Sequence, residues 1–264
     1  RLIPAIMTTS RHGHPVGPTG SVVVRALGLL DAFGPGRPAL SLSDLARHAD
    51  VPLSTAHRLV ADLAAWGALE RDDEGRYRSG LRVWELGALA PRGQALRETA
   101  LPFLEDLSRV TRENVQLAVR EGAEVVFVER LAGSGAVPVQ TRVGGRFALT
   151  ATGVGLVLLA HSPPELQDEV LGARIERYTP FTVTDPQRMR RMLADVRRAG
   201  HSVSDRQVTD DALSVGAPVS DARGQVVAAV SLVVRHGSVS ARALAPLVRT
   251  TAAGISRALS TSTR

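Results

Sequence analysis

The sequence predicts an α+β chain of two parts joined by a helical connector. Three observations carry that prediction. Apolar residues recur at helical spacing from Ser21 to Trp66, and the period then changes around the polar turn Asp72-Asp73-Glu74-Gly75. From Asn114 onward strands, then helices, then strands again follow one another, as in a domain built on a central sheet.

Ser21 to Phe33 reads as a first helix with Val23, Ala26, Leu27, Leu30 and Phe33 on its apolar face, stopped by Gly34-Pro35-Gly36. Ser41-Leu42-Ser43-Asp44 resembles a capping box, in which the Ser41 hydroxyl accepts from the backbone at Asp44. Leu42, Leu45, Ala46 and Ala49 then form the buried stripe of a short helix. Asp50-Val51-Pro52 breaks it, with Asp tolerating a left-handed turn. A third helix runs to about Trp66 with Leu59, Val60 and Leu63 inward, and Gly67 suits the position just past its end. Glu70-Arg71 and Arg76-Tyr77-Arg78 flank the acidic turn as a hairpin. Two helices joined by a tight turn are a helix-turn-helix, and the hairpin is its wing. Residues 21–80 therefore read as a winged helix-turn-helix.

Residues 81–112 read as a helical linker: Leu81 to Leu89, an interruption at Pro91, then a longer helix with Leu96, Leu101, Leu104 and Leu107 inward and a kink or restart at Pro102. Residues 113–264 form the larger domain. Val115 to Val119 and Glu124 to Val128 are strands about a Gly122-Ala123 turn, and Ala136 to Arg142 is expected as a third. Thr150 to His161 is a tightly packed small-residue helix. Glu165 to Leu171 and Pro186 to Ala199 are further helices. His201 to Val203, Ser214 to Val219 and Gln225 to Val234 are strands, and Ser240 to Leu259 closes with a helix.

Composition sets bounds on function. The 264 residues, 44% apolar and 22% charged, describe ordinary globular material, and no apolar run reaches the ~18 residues of a membrane helix. Residues 1–20 lack an apolar core segment and read as a disordered leader rather than a signal peptide, which places the chain in the cytoplasm. Cysteine is absent, which excludes disulfides, thiolate nucleophiles and cysteine zinc sites. Every basic residue is arginine. The net charge of +6 invites a nucleic-acid reading, yet residues 21–90 hold 8 Arg against 9 acids, whereas residues 181–264 hold 12 against 6. The excess lies outside the helix-turn-helix, so pattern rather than net charge carries a DNA-binding reading.

Ser54, Thr55, His57 and Arg58 stand near the start of the third helix, where such a fold meets base edges and phosphates in the major groove. Arg58 suits guanine or a phosphate, and the two hydroxyls suit phosphate oxygens. A solvated helix face would look the same in isolation; the capping box, turn and wing in correct order favour DNA. Arg76 and Arg78 on the wing suit backbone contacts, while the acidic tip repels phosphate. His12 and His14 sit in the leader and are not read as a metal pair. Ser202 and Ser204 beside His201 lack a nucleophile elbow, and the adjacent carboxylates Glu105-Asp106 and Asp210-Asp211 read as solvated faces. No catalytic set, metal site or cofactor is expected. Gly144 to Gly153, rich in small residues, suits either close backbone approach to a ligand at a helix N-terminus or close helix-on-sheet packing.

These residues resemble the IclR family of bacterial regulators over essentially the whole chain after Gly20. The first domain matches through Ser43-Asp44-Leu45-Ala46, Leu53-Ser54-Thr55-Ala56-His57-Arg58-Leu59 and Trp66-Gly67-Ala68-Leu69. The second matches through Val143-Gly144-Gly145-Arg146, Thr150-Ala151-Thr152-Gly153-Val154-Gly155, Tyr178-Thr179-Pro180, Val196-Arg197-Arg198-Ala199-Gly200, Ala217-Pro218-Val219 and Ala228-Ala229-Val230-Ser231. The resemblance implies a GAF/PAS-like α/β effector-binding domain behind the winged helix-turn-helix, assembled as a dimer or a dimer of dimers. It also implies an operator of pseudo-palindromic double-stranded DNA and a small organic or aromatic acid as effector of a catabolic operon. By position, the effector pocket would involve Phe147, Gly153, Val154, Ser204, Asp205, Ser214 and Ser231. The chain departs from the family at Ala148, where Pro is usual, at Arg206 or Gln207, where an acid is frequent, and near Val233, where a polar residue is frequent. An enzyme with a DNA-docking module and an architectural DNA binder without effector are the alternative functions.

Overall fold

The computed structural model describes residues 21–34 and 36–262; the expected leader, with His12 and His14, lies outside them. The chain forms two compact units, one ending at Gln94 and the other beginning at Ala95.

The first unit contains α1 (Val22–Asp31), α2 (Leu42–His48), α3 (Leu53–Trp66), the strands β1 (Leu69–Arg71) and β2 (Tyr77–Ser79), and α4 (Leu81–Ala88). The Ser41 hydroxyl accepts from the Asp44 amide at 3.1 Å, which starts α2 as the capping pattern requires. Asp50 takes φ 51° in the turn between α2 and α3, and Gly67 takes φ 90° past the end of α3. Leu29, Leu45, Ala56, Leu59 and Leu69 fill the core, with Tyr77 packed against it. The expected face of α1 is wrong in part. Leu29 is buried, whereas Val23 and Leu27 are exposed. Six of the helix's first nine residues (Val22-Val23-Val24-Arg25-Ala26-Leu27-Gly28-Leu29-Leu30) are large and apolar, so periodicity cannot single out its inner face.

The helix α5 (Pro91–Thr111) runs without a break through Pro102. The expected kink or restart there does not divide it, because Ala100, Leu104 and Leu107 hold it against the sheet of the second unit. That sheet has six antiparallel strands in the order β5 (Arg146–Ala148), β4 (Glu124–Ala132), β3 (Asn114–Glu121), β8 (Val226–Arg235), β7 (Ala212–Ser220), β6 (Ser202–Asp205). Side chains alternate between its faces. Val115 and Leu117, Val215 and Ala217, and Val230 and Leu232 join α5 and α9 (Ala241–Ser262) in one core. The opposite face meets α6 (Gly153–Ala160) and, beyond it, α8 (Pro186–Ala199), with α7 (Pro164–Gly172) beside them.

Ala136 to Arg142 is not a strand; the third strand of this unit in chain order is β5. Pro138 has no N–H to give a ladder. The segment is held instead by two buried amides of β3: Asn114 Nδ2 donates to the Val137 carbonyl at 2.7 Å, and Gln116 Nε2 donates to Thr141 Oγ1 at 2.5 Å.

Candidate functional site

Two regions carry surface or cavity chemistry, one in each unit. In the first, the Asp50 turn aims the start of α3 outward. Ser54, His57 and Arg58 are exposed and Thr55 is half-buried, while Ala56, Leu59 and Val60 on the other side of the helix are buried. Pro52 begins α3 without a side-chain cap, so neither hydroxyl is spent there. Among the described residues, the side chains of His57 and Arg58 make no hydrogen bond or ion pair. A helix N-terminus with an unengaged arginine and two hydroxyls can meet phosphates and base edges together.

The wing is different. Leu40 hydrogen-bonds both ways with Tyr77, at 2.9 and 2.8 Å, and so fixes the hairpin to the helices. Arg76 Nε donates to Asp72 at 3.0 Å, with Glu74 as its second partner, and Arg78 donates to Glu70 at 3.0 Å. The Leu81 amide and Arg78 together hold the Glu70 carboxyl below the usual range. Both wing arginines therefore stand partly neutralised by acids of their own hairpin. Arg82 lies 4.6 Å over the Trp66 ring at the other end of α3.

The second unit contains a cavity of about 40 Å³ on the α6 face of the sheet. Its floor includes Gln116, Val233, Ser214 and Ser204 from four successive strands; the Val139–Thr141 segment and Gln207–Thr209 form walls, and Thr152 and Gly153 border it. Thr152 caps α6 by accepting from the Gly155 amide at 3.0 Å, and the Leu156 amide bonds to the Thr152 carbonyl. The amides of Gly153 and Val154 open the helix without intrahelical acceptors. Gly153 allows a close approach here: a Cβ would lie 2.4 Å from Ser214 Oγ, which would have to move aside.

Gly153, Ser204 and Ser214 of the expected pocket thus come together. Ser231 is fully buried just beneath them, with its hydroxyl 3.4 Å from Gln116 Oε1. Phe147 and Val154 lie in the adjoining apolar core, Phe147 edge-on to Phe127 and tilted against Tyr178. Asp205 turns to the opposite side of β6 from Ser204, where His236 approaches it at 2.8 Å. Ser202 and Ser204 donate to the carbonyls of Gly153 and Ala151, so both hydroxyls are engaged in holding α6 to the sheet. The β6–β7 wall is pinned from outside. Thr179 Oγ1 donates to the Arg206 carbonyl at 2.6 Å, Thr182 Oγ1 to the Gln207 carbonyl at 2.7 Å, and the Arg206 guanidinium stacks on Phe181 at 3.8 Å.

Gln116 and Thr141 are cavity residues that sequence pattern does not single out, whereas Gln207 stands out only as a departure from the family. The one local signal for Gln116 is a polar residue within the apolar run Val115–Val119. Among the described residues no charged side chain lines the cavity. Gln207 borders the cavity while its Oε1 accepts from the Val183 amide at 3.1 Å, and Val233 lies on the floor. Among the described residues no cluster of three or more His, Cys, Asp or Glu has the geometry to hold a metal ion, and no helix is long and apolar enough to cross a membrane.

A three-helix unit with a tight turn, an outward-facing helix start and a wing defines a DNA-binding regulator of the helix-turn-helix class. The chain belongs to the IclR family of bacterial transcriptional regulators: the IclR helix-turn-helix domain matches residues 22–73, and the bacterial transcriptional regulator IclR C-terminal domain matches residues 90–257. The HTH-type transcriptional regulator KipR of Bacillus subtilis is 31% identical over 211 residues, which cover 80% of this chain and 84% of that one. The crystal structure of an IclR homolog complexed with 4-hydroxybenzoate, from Microbacterium hydrocarbonoxydans, is 38% identical with a TM-score of 0.86, covering 90% of this chain and 99% of that one. The Thermotoga maritima IclR structure is 27% identical with a TM-score of 0.73, covering 90% of this chain and 98% of that one.

Proposed function

We propose that this regulator is effector-responsive and binds a pseudo-palindromic operator as a dimer or dimer of dimers, controlling a catabolic operon through a small monocarboxylate such as 4-hydroxybenzoate. Residues 21–80 serve as the DNA-binding domain, 81–112 as the connector and 113–264 as the effector domain. Ser54, Thr55, His57 and Arg58 enter the major groove, and Arg76 and Arg78 reach the DNA backbone. In support of self-association, α4 buries none of its residues and exposes Leu81, Trp84 and Leu86.

The observation that carries the effector reading is the cavity bordered by the start of α6 and lined without a charged side chain. The opening amide of α6 and the Ser214 hydroxyl can stabilise one carboxylate without a cation. A second carboxylate would find no positive partner and would be buried at high cost. At about 40 Å³ the cavity holds a few waters, far below the ~300 Å³ at which ligand sites usually begin. Binding must therefore displace a wall, and that displacement is what an effector would exchange for a change in DNA affinity. Calorimetry with 4-hydroxybenzoate, on free protein and on protein bound to a duplex selected from a random pool, is expected to give affinities differing by about 5–150-fold. Equal affinities would sink the coupling.

The wing allows a separate test. Glu70→Gln with Asp72→Asn keeps the hydrogen-bond acceptors, removes the charge that holds Arg78 and leaves Arg76 with Glu74 as its one acidic partner. The double variant is expected to bind duplex DNA on the order of tenfold tighter at low salt, with a salt slope steeper by about 1–2. Anisotropy titrations across a salt series check this, and an unchanged slope assigns the wing arginines no phosphate.

A further inference from the structure

We infer that Gln116 is the specificity-determining residue for the end of the effector distant from its carboxylate, and that it selects a hydroxyl there. This rests on the effector reading above.

The strand register lays out the floor. Gln116 on β3 pairs with Ser231 on β8, which pairs with Gly216 on β7 and through it with Ser202 on β6. In the neighbouring row Val233 pairs with Ser214, which pairs with Ser204. From β6 to β3 is three strand spacings, roughly 14 Å at ~4.8 Å each. The end beneath the start of α6 has Gly153, whose amide has no intrahelical acceptor, and the Ser214 hydroxyl. The middle is apolar, with Val233 below and Val139 beside it. The β3 end is polar again, with Thr141 and Ser231 each within hydrogen-bonding reach of Gln116. Two polar ends about two strands apart, separated by an apolar middle, suit a flat acid that carries a hydroxyl opposite its carboxylate.

Gln116 is the member of the distal group that offers both a donor and an acceptor in fixed positions. It is 3% exposed, and its Nε2 is engaged by Thr141 of the Ala136–Arg142 segment. Its Oε1 has a long 3.4 Å contact from Ser231 and so has room for a better donor. An incoming hydroxyl donates to Oε1, accepts from Nε2, and takes over the place of Thr141. The same exchange frees one of the two side-chain amide bonds that hold the 136–142 segment over the cavity. Ligand identity and wall position are thereby read by one amide.

The test uses the full chain and three probes: 4-hydroxybenzoate, benzoate and 2-hydroxybenzoate, whose hydroxyl lies beside the carboxylate and away from Gln116. Calorimetry of the unaltered protein is expected to favour 4-hydroxybenzoate over both others by about tenfold, the worth of one hydrogen bond made to Gln116. Gln116→Leu is expected to bring that ratio to within about twofold while benzoate still binds. Thr141→Val leaves the Gln116 amide unpaired until ligand arrives. It is expected to bind 4-hydroxybenzoate several-fold tighter, with benzoate unchanged. The two variants move in opposite directions, so Thr141→Val carries the test should Gln116→Leu fail to fold. A selectivity ratio that persists in Gln116→Leu, or no preference in the unaltered protein, overturns the role of Gln116 and leaves the effector reading standing. Binding of none of the three acids by the unaltered protein overturns both.

Discussion

Arg58→Ala is expected to lower affinity for an operator duplex by about 10²–10³-fold at fixed salt, with no change in thermal stability. A base or phosphate contact of a groove-facing arginine is worth about 1–3 kcal/mol, and a two-fold dimer presents it twice. The first domain offers little to compensate. Residues 21–90 carry slightly more acids than arginines, and Arg47, Arg76 and Arg78 each face an acid of their own domain. Arg58 is exposed and makes no bond among the described residues, so its removal leaves the fold intact. Anisotropy and a thermal melt on the same preparation measure both halves of the expectation. A loss below about threefold would return the start of α3 to the status of an ordinary solvated helix.

Gly216→Ala is expected to destabilise the second unit by about 1–3 kcal/mol, through overpacking rather than backbone strain. A Cβ on Gly216 would stand 2.7 Å from the Gly153 carbonyl oxygen and 2.8 Å from Ser202 Oγ. The nearer obstacle is backbone, so α6 as a whole must lift from the sheet. All eight residues of that helix are buried, and none can be exposed without loss. For a unit of this size the midpoint falls by about 2–4 °C per kcal/mol, or roughly 2–12 °C in all. Scanning calorimetry reads it directly; a midpoint within about 1 °C of the unaltered protein would show that α6 is free to shift.

The fold was legible wherever a local signal and the tertiary structure agree. The capping box at Ser41, the left-handed Asp50, Gly67 and the strands expected at Ser214–Val219 and Gln225–Val234 are local, and each lies where pattern places it. Two features were not legible, for different reasons. The inner face of α1 is lost because nearly every position in Val22–Leu30 is apolar, so no period distinguishes Leu29 from Leu27. The Ala136–Arg142 segment has strand-like composition, but its partners are the side-chain amides of Asn114 and Gln116, distant in sequence. The cavity was half legible. Gly153, Ser204 and Ser214 follow from family position, whereas Gln116 and Thr141 meet through a contact spanning 25 residues. Asp205 illustrates the period of two: one step from Ser204, its side chain meets His236 on the far side of β6.

The alternation of β3, β7 and β8 has a consequence for how such a regulator changes over generations. On one face Val115, Leu117, Val215, Ala217, Val230 and Leu232 carry the packing against α5 and α9; on the other, Gln116, Ser214 and Ser231 meet the cavity. Each strand thus interleaves two separately mutable sets of positions on one backbone. On the effector reading proposed above, substitutions in the second set would retune which molecule is recognised while leaving the packing in the first set untouched. The close approach of Gly153 and Gly216 is where a change in the second set would instead move α6 off the sheet.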